Sequence, residues 1–219
     1  MLEAYARWAP AYASDVHNPL MALEQQAMLE LLPALPGRRA LDLACGSGRY
    51  LKRLAAGQAA FACGLDLSGP MLARARAEGR QPLIQGDLLH LPLATGSVDL
   101  VVCALAVGHV ADLGQAVSEM ARVLAPGGVV VYSDFHPFGA LAGLKRTFRA
   151  ADHREYAARH HVHLYSAHQA ACAQAGLIID AVREPLIDDT DASHPTDGLH
   201  PLRGFPVVWV VRAIRNQRT

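Results

Sequence analysis

Short apolar runs alternate with amphipathic stretches through the middle of the chain. Strands are predicted at 40–44, 60–66, 82–85, 98–104 and 129–133, and helices at 50–56, 70–77 and 113–124. The run at 98–104 is almost continuously apolar, which is typical of a strand buried on both faces of a parallel sheet. This alternation predicts an α/β fold with an open, mostly parallel, doubly wound sheet and helices on both faces.

The N-terminal part, residues 1–37, follows a helical pattern instead. Asn18 and Pro19 form a helix start, with asparagine at the cap and proline in the first turn. Glu24 interrupts the apolar stripe that follows, so we expect its carboxylate to find a partner on a neighbouring element, or else to face a cavity. The apolar stripe consists of Leu20, Leu23, Ala27 and Leu31.

The last third of the chain departs from the alternation. Residues 135–165 are rich in His, Arg and Phe without a clear period, and a helix is predicted at 166–175 with Ser166 as its cap. Strands are predicted at 177–184 and 207–213. The polar link between them, residues 185–206, is long for a compact domain, which is typical of a functional loop or a disordered segment. The two closing strands should pair antiparallel at one end of the sheet.

Composition narrows the class of protein. The 219 residues suit one domain, and 20 basic and 20 acidic side chains cancel. Without a net field or a basic patch, nucleic acid and anionic membranes are unlikely partners. The four cysteines lack zinc-type spacing, and the chain has neither an apolar window of membrane-spanning length nor a signal pattern. We therefore expect a soluble, cytoplasmic protein.

A glycine-containing loop follows the first predicted strand, where residues 41–48 read LDLACGSG. Gly46 and Gly48 allow a tight turn and let a ligand approach the backbone. The next helix offers free N–H groups at its positive end. Asp42 beside this loop suits a cationic amino acid better than a pyrophosphate. Leu51 stands at the third glycine position of the dinucleotide fingerprint, which disfavours a nicotinamide cofactor.

Acidic residues end or follow the next two predicted strands. Asp66 can accept hydrogen bonds from vicinal ribose hydroxyls. Its alternative role is the cap of the following helix, which Ser68 could provide instead. Asp87 can accept a hydrogen bond from an adenine amine while Leu88 packs on the ring; its alternative is a turn aspartate. Since the carboxyl ends of parallel strands share one edge, these residues predict a ligand site there.

These three segments, together with residues 98–102 and 123–128, resemble the ordered motifs of the class I S-adenosylmethionine-dependent methyltransferases over roughly residues 38–134. The resemblance implies a Rossmann-like, seven-stranded sheet with an antiparallel last strand. It also implies S-adenosylmethionine as cofactor and S-adenosylhomocysteine as product, with the glycine loop holding the methionine portion, Asp66 the ribose and Asp87 the adenine. The implied cofactor residues are Tyr12, Asp42, Ala44, Gly46, Gly48, Asp66, Leu67, Met71, Asp87, Leu88 and Ala104.

Residues 5–12 resemble the entry helix of small-molecule members, including those that act on quinone precursors and on the malonyl carrier-protein ester of biotin synthesis. In those enzymes aromatic residues close over the cofactor. The resemblance implies this role for Tyr12, Tyr5 and Trp8, and simple packing of an entry helix is the alternative. It further implies one domain over 1–219: an entry or lid segment (1–37), a cofactor-binding core (38–134) and an acceptor side (135–219).

The acceptor side is less defined. Many relatives carry paired histidines after the fourth strand, and this chain keeps only the second, His109. His109 is a candidate general base or pocket wall, and a histidine bonded to backbone is the alternative. The many histidines of 136–168 lack the spacing of a metal site. Some of these histidines could form a polar substrate pocket with Arg146, Arg149 or Arg159. The alternative is that these side chains are solvent-exposed at the surface.

Together these features predict an enzyme that methylates a small molecule by in-line displacement. A carboxylate or thiolate acceptor needs no base, whereas a phenol, an amine or a carbon acid can need one. Two rivals use the same fold: a protein that binds the cofactor without transferring its methyl group, and a nicotinamide-dependent oxidoreductase. The sequence indicates neither the atom that is methylated nor an oligomeric state.

Overall fold

A seven-stranded sheet in the order β3-β2-β1-β4-β5-β9-β8 organises the protein. The computed structural model describes residues 2–80, 82–149, 154–187 and 203–217. Strands β3, β2, β1, β4 and β5 are parallel, whereas β9 runs antiparallel to both of its neighbours, β5 and β8. The predicted doubly wound α/β sheet with an antiparallel last strand is therefore confirmed. The seven strands are β1 (Arg39–Leu43), β2 (Phe61–Asp66), β3 (Leu83–Gln85), β4 (Val98–Cys103), β5 (Leu124–Phe135), β8 (Leu177–Arg183) and β9 (Val208–Arg215).

Helices cover both faces of this sheet because its strands are apolar on both sides. On one face, Leu41 and Leu43 of β1 belong to the apolar cluster that includes α5 and α7; on the other, Ala40 packs with α2 and α3. The helices are α1 (Leu2–Trp8), α2 (Pro19–Leu31), α3 (Arg49–Ala56), α4 (Gly69–Ala77), α5 (Leu113–Val123), α6 (Pro137–Leu141) and α7 (Tyr165–Gln174).

The caps of two helices follow the sequence. The Asn18 side chain accepts a hydrogen bond from the Met21 N–H at 2.8 Å, so α2 begins where the Asn-Pro pair predicts. Ser68 accepts from the Met71 N–H at 3.4 Å and caps α4, as its position before Pro70 suggests. The N-terminal part then adds α1 and a 3₁₀ turn at Ala9–Ala11, and α2 packs on β5 and β9.

Two local predictions are wrong. The strand expected to begin at 129 already begins at Leu124, so the Pro-Gly-Gly turn lies within an irregular start of β5, where the register with β4 shifts. Ser166 does not cap α7, because the helix starts at Tyr165 after Leu164 and has no side-chain cap. The aperiodic 135–165 region contains a two-stranded antiparallel pair, β6 (Thr147–Arg149) and β7 (Glu155–Ala157). Alternation over three residues is too short to detect from sequence.

The long link between the closing strands falls largely outside the described residues, which resume at 203. Its two ends meet at a bridge between Leu186 and Pro206. Within the described ranges, no helix has the length and apolar character needed to cross a membrane.

Candidate active site

A cavity opens at the carboxyl edge of the parallel strands, where ligands bind in open α/β sheets. Loops after β1, β2, β3 and β4 form its floor, and the N-terminal segment together with Phe135, Arg146 and Thr147 forms its walls. Most of the predicted cofactor residues line it, namely Tyr12, Asp42, Ala44, Gly46, Asp66, Leu67, Met71, Leu88 and Ala104. Two do not, Gly48 and Asp87.

The glycine loop turns sharply at the end of β1. Ala44, Gly46 and Gly48 have φ angles of 53°, 55° and 82°, in the left-handed region. A Cβ on Gly46 would lie 3.3 Å from the Met71 methyl carbon, inside the cavity. Gly48 lies outside the lining and is the N-terminal cap residue of α3, where a Cβ would lie 2.8 Å from Arg80 Cγ. The positive φ and the close approach of Arg80 both require glycine here, and contact of Gly48 with the cofactor stays a prediction.

Asp42 faces both the cavity and the first turn of α3. One carboxylate oxygen, Oδ2, accepts a hydrogen bond from the Leu51 N–H at 2.7 Å, and the residue is 2% exposed. Burial raises the pKa of Asp42 to about 7, against the lowering effect of the Leu51 hydrogen bond. The folded state therefore keeps a proton that the unfolded chain releases between about pH 4 and pH 7, and this group makes the protein less stable as pH rises through that window.

Asp66 joins the loops that follow β1 and β2. Its Oδ2 accepts from the Gly46 N–H and its Oδ1 from the Ser68 N–H, both at 2.8 Å. Burial raises the pKa of Asp66, and these N–H groups partly counteract that shift. Because each carboxylate oxygen has two lone pairs, both oxygens can still accept a hydrogen bond from a ligand in the cavity.

Asp87 lies beside the cavity but outside its lining. Its Oδ1 accepts from the Leu89 N–H at 2.9 Å, which is the geometry of a turn aspartate. The neighbouring Gly86 and Leu88 do line the cavity, and Leu88 is 9% exposed. The apolar half of the predicted adenine contact is thus in position, whereas the carboxylate half stays a prediction.

Aromatic rings of the N-terminal segment form one wall. The ring centroids of Tyr5 and Trp8 are 5.7 Å apart, and those of Trp8 and Tyr12 are 4.6 Å apart. Burial raises the pKa of Tyr5 to about 12 and also raises that of Tyr12, so both hydroxyls keep their protons at neutral pH. All three residues line the cavity, and their closing over the cofactor stays a prediction.

Arg146, one of the arginines suggested for a polar pocket, forms an adjoining wall. Its Nη1 donates to the Leu105 carbonyl at 2.7 Å, and its Nη2 donates to Asp134 Oδ1 at 3.0 Å. The guanidinium also lies 4.4 Å from the Phe135 ring centroid. Although burial alone would raise it, the pKa of Asp134 is held below its ordinary value by a hydrogen bond from His160 and the charge of Arg146.

His109 lies between these walls and contacts both. Its Nε2 is 2.6 Å from the Tyr5 hydroxyl oxygen and also contacts Arg146 Nη1, while its Nδ1 is 3.2 Å from the Arg159 carbonyl oxygen. Burial, and then the charge of Arg146, lower the pKa of His109 to about 3. The imidazole is therefore neutral at pH 7 and a weak base.

The other histidines have structural contacts. His136 bonds to Glu184, His163 to the Val110 carbonyl, and buried His168 to the Tyr132 hydroxyl at 3.1 Å. His153, His194 and His200 lie outside the described residues. No group of three potential metal ligands comes together in the part of the chain that the structure describes.

A buried polar network behind the cavity was only partly foreseen. Glu24 Oε2 pairs with Arg49 at 2.7 Å, and Tyr50 and Ser133 also donate to its carboxylate. The expected partner for Glu24 is thus confirmed. Arg49 itself lines the cavity, which the sequence analysis missed because an arginine in a first helical turn has no distinctive pattern.

Comparison with known proteins identifies the same class. Residues 41–132 match the family model described as "Methyltransferase domain". Malonyl-[acyl-carrier protein] O-methyltransferase of Enterobacter lignolyticus is 36% identical over 157 residues, covering 71% of this chain and 61% of that protein. Demethylmenaquinone methyltransferase of Beutenbergia cavernae is 38% identical over 143 residues, covering 59% and 58%. The chain thus spans about three fifths of the length of these curated relatives.

A solved structure extends the likeness over the fold. An S-adenosylmethionine-dependent methyltransferase from Mesorhizobium loti superposes with a TM-score of 0.73 at 28% identity, covering 88% of this chain and 98% of that one. The motif set, the sheet order and the cavity at its carboxyl edge agree with these matches. In sequence, in fold and in the position of its cavity, the chain resembles the class I S-adenosylmethionine-dependent methyltransferases.

Proposed function

We propose that this protein transfers the methyl group of S-adenosylmethionine to a small-molecule acceptor bound in the same cavity. One observation carries the proposal: the carboxylates of buried Asp42 and half-buried Asp66 both line the cavity, and neither has an ion-pair partner among the described residues. Arg49, which lines the same cavity, is paired with Glu24 instead. A ligand with a positive charge would stabilise both carboxylates.

The residues present fit S-adenosylmethionine. Asp42 would face the ammonium group, Asp66 has acceptor capacity for the ribose hydroxyls, and Leu88 and Met71 supply apolar surface for the adenine. When bound, the cofactor supplies a methyl group that its sulfonium already activates. The nicotinamide alternative has no support from the motif set or from the relatives.

The chain contributes alignment and exclusion of water. The aromatic residues Tyr5, Trp8 and Tyr12 line the cavity from the N-terminal segment, and Phe135 and Arg146 line it from the end of β5 and the region that follows. Holding two reactants in one dry, shaped site is the main requirement of an in-line transfer. We accordingly assign residues 1–37 to entry and closure, 38–134 to the cofactor and 135–219 to the acceptor side of one domain.

The general-base role of His109 stays a prediction with an argument against it. A pKa near 3 leaves little basicity at pH 7, and the contact with Arg146 occupies Nε2. We therefore propose that His109 orders the acceptor end of the cavity. A cytoplasmic location is also part of the proposal, supported by four buried free cysteines.

Methyl transfer can be tested with a panel of small carboxylates, phenols, amines and thiols. Release of S-adenosylhomocysteine from S-adenosylmethionine is measured for the wild type and for Asp66→Asn. We expect release that depends on one acceptor class and falls at least about tenfold in the variant, since a hydrogen-bonding carboxylate is lost. Tight cofactor binding with no transfer to any class would favour the rival function of a non-catalytic binding protein.

A further inference from the structure

Two hydrogen-bond donors converge on a single nitrogen at the acceptor end of the cavity. The Tyr5 hydroxyl and Arg146 Nη1 both contact Nε2 of His109. An arginine has no acceptor, so Nε2 must be the unprotonated ring nitrogen. The proton is then on Nδ1, where it is donated to the Arg159 carbonyl at 3.2 Å.

One lone pair cannot satisfy both donors. A neutral imidazole offers one lone pair in its plane, so the Tyr5 O–H and the Arg146 N–H compete for it, and the Tyr5 oxygen is the other acceptor within reach of Arg146. Both side chains line the cavity, so an acceptor atom of a ligand there can take the hydrogen bond that Nε2 does not accept. An unsatisfied donor in a buried site costs free energy that a bound acceptor atom would recover.

Neighbouring acceptors are already engaged. Asp134 Oδ1 receives the Phe135 N–H at 2.8 Å and Arg146 Nη2 at 3.0 Å, and His160 Nε2 lies 3.4 Å away. The Leu105 carbonyl accepts from Arg146 Nη1. In addition, Arg146 Nε is buried without a partner. This end of the cavity therefore contains a charged guanidinium with one buried N–H group that has no hydrogen-bond partner.

We propose that Tyr5 and Arg146 form a binding site for an anionic oxygen of the methyl acceptor, a carboxylate or a phenolate, and that His109 is the positioning residue that holds both donors. This inference rests on the proposed function, since it assigns the acceptor to the same cavity. Asp134 balances the charge of Arg146, so hydrogen bonds from the two donors, rather than a net positive field, would hold the anion.

The test uses simple anions. Benzoate, 4-nitrophenolate and the neutral methyl benzoate are titrated against the full chain, with and without saturating S-adenosylhomocysteine. Binding is followed by the fluorescence of Trp8, whose ring contacts those of Tyr5 and Tyr12. We expect at least one of the two anions to bind about tenfold or more tightly than the ester. Which of the two binds distinguishes a carboxylate acceptor from a phenolate acceptor.

Variants identify the residues responsible. Arg146→Gln should weaken anion binding about tenfold or more and Tyr5→Phe by several-fold, whereas Lys145→Gln should have no effect because Lys145 is exposed outside the cavity. Tyr5→Phe and Arg146→Lys decide the question if Arg146→Gln does not fold. Equal binding of anions and ester, or variants that bind anions like the wild type, would overturn the inference.

The inference and the proposed function fail separately. If the wild type binds S-adenosylhomocysteine but shows no preference for anions, the anion site is wrong and the methyltransferase proposal is unaffected. If S-adenosylhomocysteine does not bind, the proposed function is wrong, and the titrations without it still decide whether the anion site exists.

Discussion

Replacing Glu24 by glutamine should destabilise the protein far more than the same change elsewhere on α2. Glu24 is fully buried, and Arg49, Tyr50 and Ser133 all donate to its carboxylate. Glutamine keeps the side-chain volume but removes the negative charge. It also places an NH₂ group beside hydrogen-bond donors, and an amide nitrogen cannot accept a hydrogen bond from them. The Arg49 side chain, 10% exposed, is then left without its counter-charge.

The size of the effect follows from this burial. Removing one partner of a buried ion pair costs about 3–5 kcal/mol. Glu30 provides a matched control on the same helix: its pair with Arg183 has side chains 48% and 47% exposed, and such surface pairs contribute about 0–1 kcal/mol. At roughly 2–4 °C per kcal/mol for a domain of this size, Glu24→Gln should lower Tm by on the order of 10 °C and Glu30→Gln by at most a few degrees.

Urea unfolding and differential scanning calorimetry of both variants measure these differences. Since Arg49 lines the cavity, Glu24→Gln should also weaken binding of S-adenosylhomocysteine, and Glu30→Gln should not. Equal stability of the two variants would refute the reasoning, because it would mean that the buried network contributes no more than a surface pair.

Three further predictions concern the cavity. Without ligand, Asp42→Asn should lose less stability than the wild type as pH rises from 4 to 7, because the variant lacks the carboxyl group whose pKa is raised. Buried histidines with lowered pKa values have the opposite effect in both proteins, so the quantity to compare is the difference between the two profiles of unfolding free energy against pH. Parallel profiles would contradict the raised pKa of Asp42. His109 should remain neutral with its proton on Nδ1 from pH 5 to pH 8 in ¹⁵N NMR spectra, and an imidazolium signal at pH 6 would refute this assignment. Gly46→Ala and Gly37→Ala both place a Cβ at positive φ, so each should lower the free energy of unfolding by about 1–2 kcal/mol. Only Gly46→Ala should weaken the binding of S-adenosylhomocysteine measured by calorimetry. Equal affinities of the two variants would exclude contact between the ligand and this loop.

The sheet could be predicted because local pattern and burial agree along its strands. The run at 98–104 is apolar throughout, and β4 is the central strand it suggests, with Leu100 fully buried against one layer of helices and Val101 against the other. Asp66 and Gly46 could be predicted for a similar reason. Both lie at strand ends, where topology rather than side-chain packing decides what meets at the sheet edge.

The acceptor end depends on contacts that the sequence does not encode locally. Arg146 meets His109 and Leu105 across about forty residues of chain, and nothing in the 135–165 composition distinguishes it from Arg149 or Arg159. The position of Asp87 outside the cavity lining is of the same kind. Its carboxylate accepts a hydrogen bond from the backbone N–H two residues further on. The geometry of the loop decides this partner, and the residue type alone does not predict it.

Calorimetric titration of S-adenosylmethionine, S-adenosylhomocysteine and NADH against the wild type, Asp66→Ala and Asp66→Asn tests the central claim most directly. Asp180→Ala, on β8, controls for the loss of a surface carboxylate. The account predicts that both adenosyl ligands bind the wild type and Asp180→Ala, that NADH does not, and that both Asp66 variants bind at least about tenfold more weakly. Binding of NADH alone, or adenosyl ligands that bind equally well after Asp66 is replaced, would contradict it.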